Sequence, residues 1–268
     1  KSRDMYYKIP KIVFLFFHIA FSETLYVPDD FNSIQGAIDA SENSDTILVD
    51  PGIYFENINF NGKSIVVSSK YLLNNDSLLI GITIIDAGNE GSVVTFNNDE
   101  NNNTILQGFT LQNGNGNNED PDDNGSFYTY GGGIYCENAD PLVKDCIIQN
   151  NTANEGGGAG IFCYDSSPIF YGCKIKENET DDVGGGLYAR DGSSPSFFDC
   201  IFMDNTAEFG GGCYLKSSSS PLMENVVFIQ NNANNSGGGI GLKDDANIQA
   251  SNLTISENLA EGLGGGLY

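Results

Sequence analysis

GGGIYC, at residues 131–136, is the first of six related segments in which a glycine run precedes a short apolar stretch. The others are GAGIFC at 158–163, GGGLYA at 184–189, GGGCYL at 210–215, GGGIGL at 237–242 and GGGLY at 264–268. Their final glycines are 26 or 27 residues apart. A fixed period of this length predicts a solenoid, in which each repeat forms one coil and the coils stack along an axis.

A second apolar strand and then an asparagine follow each glycine run. We place the strand starts at Cys146, Cys173, Cys200, Val227 and Leu253, and the asparagines at Asn151, Asn178, Asn205, Asn232 and Asn258. Since alternate side chains of a strand point to opposite faces, the first and third residues are predicted to be buried. The third residues are Ile148, Ile175, Phe202, Ile229 and Ile255. The middle residues are predicted to face solvent, and they are Ile147, Lys174, Ile201, Phe228 and Thr254.

Stacked coils bring every strand beside its copy in the next coil, about 4.8 Å away, so we expect parallel pairing. Crossovers between parallel strands are right-handed in nearly all proteins. Asparagine amides at that spacing can hydrogen-bond along the axis, and glycine runs permit the positive φ of tight corners. The predicted fold class is therefore all-β, a single-stranded right-handed parallel β-helix.

The combination of GGGIYC-like segments with CIIQNNTA (146–153) and CIFMDNTA (200–207) resembles the pectin-lyase-like superfamily. Within it, these segments resemble the repeats of polymorphic outer-membrane proteins and other secreted bacterial β-helix proteins. The resemblance extends over residues 45–268 and is strongest from 131. That superfamily contains lyases, hydrolases, epimerases, adhesins and scaffolds, so the resemblance implies a fold and leaves the function open.

Two features are predicted before the repeats. Residues 31–40 (FNSIQGAIDA) form an amphipathic helix with a cap at Asn32 or Ser33, and we interpret it as the lid over the first coil. Strands are expected at 46–49, 58–60, 64–67, 78–85, 92–96 and 104–111.

The first 22 residues have the pattern of upstream residues and a signal peptide. Lys8 and Lys11 precede the apolar run 12–20, and small residues lie before Glu23. The alternative is a buried N-terminal strand. We therefore predict a secreted protein whose β-helix domain begins at residue 23, and we expect it to continue beyond Tyr268.

The chain is strongly acidic. It has 36 acidic and 12 basic residues, and removal of residues 1–22 would leave 8 basic and 35 acidic residues, a net charge of 8 − 35 = −27. Electrostatic repulsion makes nucleic acid and anionic membranes poor partners. The single histidine, His18, lies in the predicted signal peptide, so catalytic triads and metal sites that need histidine are excluded for the mature chain.

A polar insertion at 113–130 interrupts the repeat and is expected to leave the coil as a loop. Asp120, Asp122 and Asn124 match the first half of a calcium-binding loop, whose alternating oxygens can converge on one cation. A solvated acidic loop is the alternative, because the closing glutamate of an EF-hand is absent. Calcium is the only cofactor that the sequence predicts.

The six cysteines are predicted to be mostly reduced. Cys146, Cys173 and Cys200 form one inward column, Cys136 and Cys163 begin a second, and Cys213 is interpreted as standing alone. Neighbouring coils could allow a disulfide, but three cysteines in one column cannot all pair within it. Free cysteine also packs well as a small apolar residue.

Two columns of the repeat are candidates for binding. Two residues after the final glycines lie aromatic residues predicted to face outward: Tyr135, Phe162, Tyr188 and Tyr214, with Gly241 and Tyr268 completing the column. Two residues further on lie Arg190, Lys216 and Lys243. Such a surface could stack on sugar rings and contact the carboxylates or sulfates of an acidic glycan.

Two functional classes remain. The first is a secreted or cell-surface adhesin or glycan-binding scaffold, whose partner is an extracellular polysaccharide or host-cell glycan. An outer-membrane barrel, a sorting domain or no anchor at all could follow beyond this sequence. The second is a calcium-assisted polysaccharide lyase, for which Arg190 is the candidate catalytic base, or a glycoside hydrolase. The dyads Asp181–Asp182 and Asp244–Asp245 are interpreted as solvated turn residues.

Overall fold

The computed structural model describes residues 22–120 and 124–268. Within these ranges the chain winds into a parallel β-solenoid, in which each strand pairs with its copy one coil later. Ile134, for example, pairs with Ile161, which pairs with Leu187. The predicted all-β solenoid is confirmed. The predicted signal peptide lies outside the described residues except for Ser22, so it stays a prediction.

The strands of the described residues form four sheets. Sheet 1 contains Ile58–Asn59, Val94–Phe96, Ile134–Glu137, Ile161–Tyr164, Leu187–Arg190, Cys213–Leu215 and Ile240–Leu242. Sheet 3 contains Thr152–Ala153, Glu179–Thr180, Thr206–Phe209, Asn232–Ser236 and Leu259–Ala260. Sheet 4 contains Asn117–Glu119, Tyr128–Tyr130 and Glu155–Gly157.

Sheet 2 is the largest and consists of two columns of strands. The first contains Thr24–Val27, Thr46–Val49, Val66–Ser69, Ile105–Gln107, Leu142–Lys144, Ile169–Tyr171 and Ser196–Phe198. The second contains Gly52–Phe55, Thr83–Asp86, Thr110–Gln112, Ile147–Gln149, Lys174–Lys176 and Ile201–Met203. Two longer strands, Leu222–Ile229 and Gln249–Ser256, span both columns and join them.

The core runs without a break along the solenoid and is filled by the inward columns of the strands. Aromatic residues in neighbouring coils stack within it, with ring centroids 4.8 Å apart for Phe170 and Phe197 and 4.6 Å apart for Phe202 and Phe228. All six cysteines are buried as free thiols. Cys213 belongs to neither cysteine column, in agreement with the prediction, because it pairs with Leu187 and lies in the same inward column as Ile134.

The predicted helix spans Ile34–Ala40. Its cap is Ser33, whose Oγ accepts a hydrogen bond of 3.0 Å from the Gly36 backbone, and the Glu56 carboxylate accepts two more from the first turn. Ile34 and Ile38 are buried and belong to the same cluster as the solenoid core. The predicted role as a lid over the first coil is consistent with this packing.

A buried asparagine ladder runs along the axis, as predicted. The side-chain amide of each member donates to the Oδ1 of the next at 2.9–3.0 Å, and the members are Asn151, Asn178, Asn205, Asn231 and Asn258. Each ladder residue follows a left-handed residue, for example Asn150 with φ 52° and Gln230 with φ 56°. This positive φ turns the chain out of sheet 2 and directs the amide inward.

The prediction was wrong by one residue in the fourth of these coils. Asn231 occupies the ladder in place of Asn232, and Val226 and Phe228 are buried in place of Val227 and Ile229. The reason is a one-residue difference in length, since Asn205 and Asn231 are 26 residues apart whereas the other ladder members are 27 apart. The Val-Val and Asn-Asn doublets make the two registers look alike in the sequence.

The predicted strand at 78–85 was also wrong in its first half. Two short helices occur here, at Tyr71–Asn74 and at Leu78–Ile82. The strand begins only at Thr83. Neither helix buries a residue. Across 22–120 and 124–268, the helices are too short to provide a membrane span.

Candidate functional site

The predicted aromatic column lies on the outer face of sheet 1, but most of it is buried. Tyr135 and Phe162 are fully buried and Tyr188 is 4% exposed, in a small cluster separate from the core. Tyr130 covers this cluster, with its ring centroid 4.5 Å from that of Phe162. Tyr135 and Phe162 therefore leave the predicted glycan-binding set, because neither ring has a face that a sugar could contact.

The covering residues occupy the position just before each glycine run. Tyr130 lies there in one coil, and the equivalent residue in the next coil is Gly157. The ring of Tyr130 packs so closely on this glycine segment that a Cβ at Gly156 would lie 3.0 Å from its Cδ1. The missing side chains thus make room for Tyr130 to reach Phe162, which the period of the repeat alone does not indicate.

The column opens further along, where Gly241 takes the place of an aromatic residue. The Tyr214 ring lies over this glycine, since a Cβ there would lie 2.8 Å from its Cδ2. Tyr214 is half-buried and Tyr268 is 53% exposed. Together with Tyr188 they line a cavity of about 600 Å³.

A second cavity of about 580 Å³ continues from the first along the same face. The two share Asp182, Tyr188 and Lys216 in their linings, and we call the combined depression the groove. Tyr128 of the insertion lines its far end. The groove therefore follows sheet 1 from the insertion to Tyr268.

The predicted cations stack in successive coils and line the groove. The backbone amides of Lys216 and Lys243 donate to Ala189 and Leu215 of the preceding coil at 3.0 and 2.9 Å. Lys216 is half-buried and Lys243 is exposed.

Arg190 differs from the expectation that its side chain faces solvent, because it is only 8% exposed. Its Nε donates to the Asp191 carboxylate, and its guanidinium lies 5.6 Å from the centre of the Tyr164 ring. These contacts hold the guanidinium in one orientation beside the groove.

The groove also contains carboxylates, and Asp182 is the one that lines both cavities. Loss of solvent contact raises the pKa of its side chain, the charges of Asp181 and Glu208 raise it further, and Lys216 opposes them. Asp181 is exposed and accepts a hydrogen bond of 2.9 Å from the Glu155 amide. The sequence contained the signal, the Asp181–Asp182 dyad, but its interpretation as solvated turn residues was wrong for Asp182.

The insertion at 113–130, which was predicted to leave the coil as a loop, contains regular secondary structure. Asn117–Glu119 and Tyr128–Tyr130 form an antiparallel β-hairpin, and the second strand extends sheet 4 alongside Glu155–Gly157. Asn117 fixes its base, accepting from the Ser92 amide at 3.0 Å and donating to Thr95 at 3.0 Å.

The candidate calcium ligands lie at the tip of this hairpin. Asp122 falls outside the described residues. The Asp120 carboxylate accepts hydrogen bonds from the backbone amides of Asn124 and Gly125 at 3.2 and 2.6 Å, and Asn124 accepts one from Ser126 at 2.8 Å. The described segments contain no group of three acidic, histidine or cysteine side chains placed to share a metal ion. Calcium binding stays a prediction.

Comparison with known proteins bears on the fold. A search of curated proteins finds no match to the chain. A family model described as a right handed beta helix region matches residues 122–268, more than half of the chain. The match fits the resemblance to the pectin-lyase-like superfamily and the predicted handedness of the coils. The chain belongs to the right-handed β-helix family.

Proposed function

We propose that the groove binds a polysaccharide and that the protein acts as a secreted or cell-surface adhesin or glycan-binding scaffold. The observation that supports this most is the continuous groove itself, which combines accessible tyrosines with charged groups of both signs over two adjoining cavities. Sugar rings present apolar C–H faces that pack on aromatic rings and hydroxyls that hydrogen-bond with polar groups. A groove of this composition suits them.

The tyrosines provide the apolar contact. Tyr214 and Tyr268 each offer part of a ring to the groove. Desolvation raises the pKa of Tyr214, followed by the charges of Asp244 and Asp182, so its hydroxyl stays protonated and can donate. Each ring therefore combines a stacking face with a polar end.

The charged groups act on the hydroxyls and on any acidic substituents. Lys216 and Lys243 can donate to hydroxyls, carboxylates or sulfates, as the acidic-glycan hypothesis requires. The same groove is lined by the carboxylates of Asp181, Asp182 and Glu155, which repel a glycan that carries many negative charges. The groove thus favours hydroxyl-rich chains, with acidic groups tolerated only beside the lysines.

A hydrolase is the second candidate, and it rests on Asp182. A half-buried carboxyl with a raised pKa in a sugar-sized groove is a suitable general acid. The lyase hypothesis has less support, because the guanidinium of Arg190 lines the groove but is already bound to Asp191 and packed against the Tyr164 ring. Release of reducing ends by the wild type and loss of that release in Asp182→Asn would favour the hydrolase.

A glycan array followed by titration of the best-bound glycan tests the binding proposal. Tyr214→Ala and Lys216→Ala should each weaken binding by about tenfold, the loss expected when a stacking or charged contact is removed. Tyr171→Ala is the matched control, because Tyr171 is 46% exposed on sheet 2, away from the groove. Equal affinities for all three variants, or an array with no binding, would refute the proposal.

A further inference from the structure

We propose that the groove receives the end of a polysaccharide chain rather than an internal stretch, because the β-hairpin of the insertion closes it at one side. This inference rests on the proposed function and adds to it the mode of binding. A long polymer that crosses a groove needs both ends of the groove to be open. A groove with one closed end can accept only a chain terminus.

The closure is made by the second strand of the hairpin. Tyr128 lines the cavity that also contains Arg190 and Lys216. Two residues on, Tyr130 is 5% exposed and its ring packs against that of Phe162, tilted by 31° with the centroids 4.5 Å apart. The hairpin thus occupies the space directly above sheet 1 where the next sugar of a through-running chain would lie.

The surface beyond the closure is equally inaccessible. The hydroxyl of the buried Tyr135 donates to Glu137 at 2.9 Å. Glu119, on the first strand of the hairpin, is close enough for Glu137 to raise its pKa, after the larger contribution of desolvation. No ring of the column before Tyr188 has an exposed face among the described residues. The groove therefore does not resume on the other side of the hairpin.

The closed side is also polar, which suits a terminal sugar. A terminal residue carries a hydroxyl where an internal residue has a glycosidic linkage, and that hydroxyl needs hydrogen-bonding partners once it is removed from water. Glu155 and Asp181 supply acceptors at this side, and Lys216 supplies donors. An internal sugar has a glycosidic linkage in place of that hydroxyl, so one of these protein groups would face an ether oxygen.

The test compares long and short fractions of the same polymer. Xylan, polygalacturonate and chitosan serve as neutral, acidic and cationic probes, each separated into a long and a short fraction, and the amount of protein bound per gram at saturation is measured. Capacity that rises in proportion to the number of chain ends supports the inference. Capacity that is the same for both fractions overturns it and leaves the proposed function intact, whereas the absence of binding to all three probes overturns both.

A pair of neighbouring variants tests the contact at the closed side. Tyr128→Ala should weaken binding of the short fraction by about tenfold, because it removes an aromatic contact with the terminal sugar. Phe127→Ala is the control, since Phe127 is 61% exposed on the same hairpin and does not line the groove. Equal binding by the two folded variants would overturn the inference. Should Tyr128→Ala fail to fold, the capacity measurement on the wild type still decides.

Discussion

Replacement of Asn231 by alanine should destabilise the protein far more than replacement of Asn232. The Asn231 amide donates to the Phe202 carbonyl at 3.0 Å and to Asn258 Oδ1 at 2.9 Å. Its Oδ1 accepts from the backbone and the side chain of Asn205, at 3.1 and 2.9 Å. Asn231→Ala therefore removes four hydrogen bonds and leaves the Phe202 carbonyl and the two Asn205 donors buried without them.

The expected magnitude follows from these four bonds. At about 1 kcal/mol for each, the free energy of unfolding should fall by about 4 kcal/mol. Asn232 makes the matched control, because its Oδ1 is buried without a hydrogen-bond partner in the described part of the chain. Its removal deletes a group that is already unsatisfied, so Asn232→Ala should change the free energy by less than about 0.5 kcal/mol.

Urea unfolding followed by circular dichroism measures the difference. The midpoints of the two variants should separate while the slope of the transition stays unchanged, since both variants expose the same surface on unfolding. Equal destabilisation by the two substitutions, or a greater loss in Asn232→Ala, would restore the 27-residue register at this coil and refute the ladder described above.

Three further predictions concern titration, metal binding and thiol reactivity. Because the pKa of Asp182 is raised in the folded state, its contribution to stability is present at low pH and is lost as the pH rises through that pKa. The urea midpoint of the wild type relative to Asp182→Asn should therefore decrease as the pH rises above about 4, the ordinary pKa of aspartate, and a constant difference would contradict the burial of this carboxyl. Millimolar calcium should raise the melting temperature of the wild type and not that of Asp120→Asn, with the exposed Asp76→Asn as control; equal responses would leave only a solvated acidic loop. The thiols should resist iodoacetamide in the native protein and react after denaturation, because all six are buried and burial raises the pKa of Cys146 to about 12. Rapid labelling of the native protein would be the contrary result.

The fold could be predicted from the sequence because every coil of the repeat requires apolar residues at the same inward positions. Inward positions such as Ile148 and Ile175 are apolar in each copy, and alternation fixes their face. Where two adjacent residues meet the requirement equally well, as at Val226 and Val227, the pattern does not choose between them. The structure shows the register there, because Gln230 is left-handed and directly precedes the ladder residue Asn231.

The site could be predicted only in part, because its accessibility depends on residues outside the repeat. The alternation of side chains along a strand correctly predicts that Tyr135, Tyr188 and Tyr214 point away from the core. It contains no information on what covers them, since the hairpin is specific to one coil. Asp182 was missed for the related reason that its environment is made by Lys216 and Tyr188 of other strands.

Glycines at two kinds of position determine where the groove lies. One position covers the outer face of sheet 1, and the other lies within the aromatic column of that sheet. Gly156 and Gly157 have no side chains in one coil, and because a Cβ at Gly156 would lie 3.0 Å from the Tyr130 ring, this ring can lie over Phe162 and cover the column. Gly241 has no side chain within the column itself, so the Tyr214 ring lies over this glycine and the column ends in the cavity that Tyr214 and Tyr268 line. Gly157 and Gly241 preserve the backbone pairing on which the solenoid depends. Variation at such positions can therefore close or open a binding surface without disturbing the core, and that separation of fold from surface explains why one family of coils can serve several functions.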